Sequence, residues 1–166
     1  MDECSARDQF SWRRELQTRK NSLHLHSYIW GGFAAQIRSV QEYYDRSMQL
    51  LDPAIRAELF TPKRPIRAKG ADKPSTYVGA NGRCVNSLVA DGCRIEGMVE
   101  NSVLFPGVVV EEGAVVRNCV LFKEDIVRRN AQLSYIIADK DVEVLADRTL
   151  MGHATYPIVL AKGSIV

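Results

Sequence analysis

The densest group of residues able to do chemistry is the basic cluster Lys63, Arg64, Arg67 and Lys69, set in a run rich in proline and glycine from residue 61 to 82. Cations this close together can hold a phosphate, although a solvated linker has the same composition. His24 and His26 fall two residues apart, so on a strand both imidazoles share a face, a geometry open to metal. No third ligand stands near them. Cys4, Cys84, Cys93 and Cys119 have no Cys-x-x-Cys spacing and no histidine placed to close a zinc site, and Cys93 and Cys119 read as small packing residues. No Gly-x-x-x-x-Gly-Lys-Ser/Thr loop, Gly-x-Gly-x-x-Gly turn, Gly-x-Ser-x-Gly elbow or His-Glu-x-x-His helix is present. No catalytic constellation and no metal site can be assembled from spacing.

The elements that must carry these residues fall into two textures. In the second half a phrase recurs: Asn86-Ser87-Leu88-Val89, Asn101-Ser102-Val103-Leu104, Asn118-Cys119-Val120-Leu121 and Ser134-Tyr135-Ile136-Ile137, at spacings of 15, 17 and 16 residues. A unit this short cannot bury a core alone and must stack on its neighbours. The spacing predicts three apolar columns: Leu88/Val103/Val120/Ile136, Ala90/Phe105/Phe122/Ala138 and Ile95/Val110/Val127/Val144. Gly92 and Gly107 mark corners. The pattern reads as a mainly β fold, a parallel β-helix with three short faces per coil. A sandwich of four unrelated strands would not need the same residue classes in the same columns.

The first half is different. Residues 5–20 are strongly charged and predict a short, poorly buried helix, and Leu23, Leu25 and Tyr28 alternate as a strand would. From Ser39 to Phe60 apolar residues return every three or four positions, with Ser39 and Glu42 forming a capping box and Asp52-Pro53 opening a second helix. The formal charge of +2 is too close to zero to argue for nucleic acid or an anionic membrane, and neither is expected as partner. No apolar run reaches membrane-spanning length and the opening residues are not a signal peptide, so a cytoplasmic protein is expected.

The run from Asn86 to Val108, the stretch Ile136-Ile137-Ala138-Asp139-Lys140, and the entry helix Ser39–Leu51 followed by Pro65-Ile66-Arg67 together resemble the C-terminal part of the ADP-glucose pyrophosphorylase (glucose-1-phosphate adenylyltransferase) family. The resemblance implies a left-handed β-helix of hexapeptide-type coils, preceded by a short α-helical segment from the end of a nucleotidyltransferase domain. Residues 1–60 would be that remnant with its connecting helices, 61–82 a linker and 83–166 the β-helix. The ending Tyr156–Gly163 is similar to the regulatory, GlgD-like branch. Catalytic members carry a metal-holding aspartate about where this chain has Phe33, and a phenyl ring offers Mg²⁺ no oxygen. The chain is therefore expected to be non-catalytic by itself and to bind no cofactor, since Mg²⁺ and ATP belong to the catalytic domain that the resemblance does not cover. It implies pairing with a catalytic subunit or with itself, and a phosphorylated sugar effector held by Lys140, Arg64 and Arg67. A hexapeptide-repeat acyltransferase is the alternative, with His153 as its base.

Overall fold

The computed structural model describes residues 17–19, 22, 24, 26–63, 65–66 and 72–166. Two compact units divide the chain, Met1–Gly32 and Phe33–Val166. In the first, residues 17–19 are helical and the rest of the helix expected over 5–20 lies outside the described residues. Tyr28 belongs to no strand, and Leu23 and Leu25 lie outside the described residues.

The second unit opens with two helices, α1 (Val40–Gln49) and α2 (Pro53–Leu59). Ser39 caps α1 as its position predicts, its hydroxyl accepting from the Glu42 N–H at 3.1 Å. Glu42 does not complete the box on Ser39; its carboxylate accepts from the Arg38 N–H one residue earlier, at 2.6 Å. Asp52 caps α2 by accepting from the Ala54 N–H at 2.8 Å, with Pro53 in the first turn.

Three five-stranded parallel sheets follow, one per face of a β-helix. The first face stacks Tyr77–Val78, Arg94–Ile95, Val109–Val110, Ile126–Val127 and Glu143–Val144. On the second are Arg83–Val85, Met98–Glu100, Val115–Arg117, Gln132–Ser134 and Thr149–Met151. The third carries Leu88–Val89, Val103–Leu104, Val120–Leu121, Ile136–Ala138 and Ile158–Leu160. Inside the coils run the columns Ile95/Val110/Val127/Val144 and Val99/Val116/Leu133, all buried. Each such side chain removed from water is worth about 1.5–3 kcal/mol. Among the described residues no helix is long and apolar enough to cross a membrane.

The repeated Asn-Ser phrase has a physical cause at the corner before the third face. Asn86, Asn101 and Asn118 all take positive φ, a conformation asparagine tolerates better than most residues. Ser102 Oγ donates to the Glu100 carbonyl at 2.7 Å and accepts the Cys119 N–H of the next coil at 3.0 Å, so the hydroxyl stitches coil to coil. Cys119 repeats the motif with sulfur, donating to the Arg117 carbonyl.

The fourth repeat is one residue out of the phase that its sequence predicts. Tyr135, with φ 56°, takes the asparagine place, so the spacing there is 17, and Val120 pairs with Ile137 rather than with Ile136. Likewise Ala138 follows Leu121, and the Phe105/Phe122 column continues into Asp139 instead of Ala138. The column Leu88/Val103/Val120/Ile137 also faces outward. It is apolar because α1 and the turn after it cover it: Tyr44, Tyr43, Met48 and, in the turn, Leu51 pack on these residues and on Phe105 and Phe122.

Candidate functional site

Lys140 sits on the corner that joins the third face to the first. Successive coils are registered there by backbone bonds: Gly107 N–H to the Asp91 carbonyl, Glu124 to Pro106, Asp141 to Lys123 and Gly163 to Lys140. Residues 91, 106, 123, 140 and 162 therefore form one column, and its last three members are Lys123, Lys140 and Lys162, all exposed. Strand stacking separates such neighbours by about 4.8 Å. The residue after each one has positive φ, at 61° for Glu124 and Asp141 and 68° for Gly163, which holds the three turns in one geometry.

Among the described residues none of these three lysines has a carboxylate within ion-pair distance. Glu124 is neutralised instead by Lys73, whose ammonium bonds its carboxylate. One Asp139 oxygen accepts the Lys140 N–H at 2.8 Å on its own turn. Three ammonium groups in a row with no fixed counterion repel each other, and a phosphate bridging two of them relieves that repulsion.

Lys123 and Lys162 were not singled out by sequence reasoning. The signal for Lys123 was present as the 17-residue interval to Lys140, which becomes visible once the fourth coil is set in phase. Lys162 stands 22 residues beyond Lys140, because the fifth coil carries a longer corner around His153, and only the backbone pairing exposes the relation.

The other candidates that the structure describes stand apart from this corner. Arg64 and Arg67 lie outside the described residues, and so do Cys4 and Lys69. His24 and His26 are exposed, and no cluster of three or more His, Cys, Asp or Glu able to hold a metal occurs among the described residues. Burial raises the thiol pKa of Cys84 and Cys93, and pushes that of Cys119 up to about 12. These thiols stay protonated, so nucleophilic chemistry is disfavoured at each. Phe33 donates its backbone N–H to the Glu58 carboxylate, and its ring brings no oxygen to a metal. His153 is exposed, with Nδ1 at 2.9 Å from the Thr155 hydroxyl; among the described residues no carboxylate bonds its ring to orient it as a base.

A family model described as GlmU-like, C-terminal hexapeptide, matches residues 71–155. The chain is 37% identical over 150 residues to the glycogen biosynthesis protein GlgD of Bacillus subtilis, covering 90% of this chain and 44% of that protein. It is 33% identical over 125 residues to the glucose-1-phosphate adenylyltransferase of Acetivibrio thermocellus, covering 75% of this chain and 29% of that protein. Over 70 residues it is 50% identical to the GlgD protein of Geobacillus stearothermophilus, covering 42% of this chain and 20% of that protein. The chain thus spans less than half the length of these curated relatives.

Proposed function

Because the chain belongs to the GlmU-like C-terminal hexapeptide family, we propose that it is the regulatory and assembly end of an ADP-glucose pyrophosphorylase subunit of glycogen biosynthesis, without catalysis of its own. The observation that carries this is the likeness to the B. subtilis GlgD protein, which extends over nearly the whole chain. Residues 1–60 are then the end of a nucleotidyltransferase domain with its connecting helices, residues 61–82 a linker, and 83–166 the regulatory β-helix.

In this proposal the lysine corner receives the effector, a phosphorylated sugar. Lys140 lies between Lys123 and Lys162, so a phosphoryl group at its level meets ammonium groups on either side. Arg64 and Arg67 are the further cations assigned to the same ligand. Rigid stacking supports a regulatory role, since a buried column cannot yield at one rung without disturbing the next. The outer edge strands of the stack give a reason to associate with a catalytic subunit or with a second copy, as unpaired strand edges favour being covered. A cytoplasmic location goes with this role.

The test mixes the chain with a cognate catalytic subunit and follows ADP-glucose formation against effector concentration, with co-elution on sizing. A shifted activation curve and a shared peak are expected. An unchanged curve with no co-elution would sink the regulatory proposal, and ADP-glucose formation by the chain alone would overturn its non-catalytic part.

A further inference from the structure

The segment that leads into the first coil lies beside the lysine row, and one of its side chains runs along the corner. Lys73 lies across Gly92, where a Cβ would meet the Lys73 Cβ at 3.0 Å and its Cδ at 3.1 Å. On the next rung a Cβ on Gly107 would lie 2.6 Å from Glu124 Oε2 and 2.8 Å from Glu124 Cδ. Both glycines have positive φ, 76° and 82°, and both leave bare backbone where another residue would place a side chain. The Lys73 stem therefore covers Gly92, the Glu124 carboxylate covers Gly107, and the ammonium bonds the carboxylate between them. Thr76 ties down the same segment, its hydroxyl donating to the Ala90 carbonyl at 2.6 Å and accepting the Cys93 N–H at 3.3 Å.

Glu124 follows Lys123 directly, so its carboxylate is a built-in competitor for any anion on the row. An exposed carboxylate beside unpaired ammonium groups is drawn to them unless something else holds it. The corner column that contains it runs Gly92, Gly107, Glu124, Asp141 and Gly163, one residue on from the lysine column. Gly107 is the rung before Glu124, and the rung after it belongs to Lys140 and Asp141. By holding the carboxylate over Gly107, Lys73 draws it away from Lys140 and Lys162.

We infer that Lys73 is a positioning residue for the lysine row and that docking of its segment sets the affinity of the row for an anion. Docked, Lys73 holds Glu124 over Gly107 and leaves the row open. Undocked, Glu124 turns back on Lys123 and Lys140 and neutralises them from within. Lys73 and Glu124 are both partly exposed, and a pair of that kind is weak enough to open and close. By linkage, an anion on the row must favour the docked segment to the same degree that docking favours the anion. This rests on the lysine corner being the effector site and adds the element that regulates it, the stretch between the helices and the first coil.

The experiment titrates the ¹⁵N-labelled full chain with glucose 6-phosphate. Amide shifts of Lys123, Lys140 and Lys162 report affinity, and hydrogen exchange at the Cys93 N–H, which Thr76 holds, reports docking. Saturating glucose 6-phosphate is expected to slow exchange at Cys93. Lys73→Gln should weaken binding about threefold or more, because Glu124 is released onto the row. Made in a Glu124→Gln background, the same substitution should change affinity by less than about 1.5-fold, whereas a lysine acting through its charge alone would cost the same in both backgrounds. Equal losses in the two backgrounds, or Cys93 exchange that ignores saturating ligand, would overturn the inference and leave the effector corner standing. No shift at any of the three lysines would overturn both.

Discussion

Asp125 is a carboxyl group inside an apolar stack. Backbone pairing places it in the corner column Cys93/Val108/Asp125/Val142, where it is 1% exposed. One oxygen accepts the Val142 N–H at 2.9 Å and the other is buried without a partner. Burial, with Asp139 and Asp141 adding negative potential, pushes its pKa from 3.8 up to about 7 against the Val142 bond that would lower it. Between these two values the folded chain holds a proton that the unfolded chain has released. Stability therefore falls as pH rises through that window, by up to about 1.4 kcal/mol per pH unit, and levels off above it. Asp125→Asn keeps the acceptor for Val142 and cannot ionise. Its melting temperature should exceed that of the unmodified chain at pH 8 and converge with it towards pH 4; equal pH slopes for the two proteins would refute the assignment. None of this was legible in the sequence, where Lys123-Glu124-Asp125 looks like solvated corner charge. Only the register shows that the third of these residues turns inward.

At the scale of elements, α1 and the third face depend on each other. The helical period from Val40 onward and the caps at Ser39 and Asp52 were readable because they are local, set by spacing and by which side chains reach their own backbone. What the apolar stripe packs against was not readable, since an apolar column says that a surface is covered and not by what. The structure supplies the cover: Tyr44 reaches across the stack and its hydroxyl donates to the Asn118 carbonyl at 2.8 Å, while Tyr43 stacks near Phe122 with ring centroids 6.1 Å apart. Burial raises the Tyr44 phenol pKa, so the hydroxyl stays a donor at all ordinary pH. Removing it in Tyr44→Phe should cost about 1 kcal/mol, and Tyr44→Ala about 3–5 kcal/mol, read as a lower urea midpoint with little change in slope. If Tyr44→Ala left the midpoint in place, α1 would not be holding the third face.

Over the whole molecule, function rests on which side chains the stack brings into line. Lys140 alone is one cation on a turn; with Lys123 and Lys162 it becomes a row of unpaired charge along one edge. Replacing Lys140 and Lys162 together by glutamine should raise the effector concentration for half-response about tenfold or more in the mixed-subunit assay, and added salt should mimic the change. A response that ignores both would remove the corner from the proposed effector site. The sequence by itself determined that short β coils repeat and that helices lead into them. These follow from side-chain identity and near-neighbour spacing. Tertiary structure alone decided the phase of the fourth coil, the outward aspect of the column under α1 and the lysine row. In a stacked fold two residues become neighbours through backbone registry, and a coil may lose or gain residues at a corner without disturbing its faces. Sequence intervals therefore locate the rungs only approximately, and the hydrogen bonds between rungs settle which side chains meet.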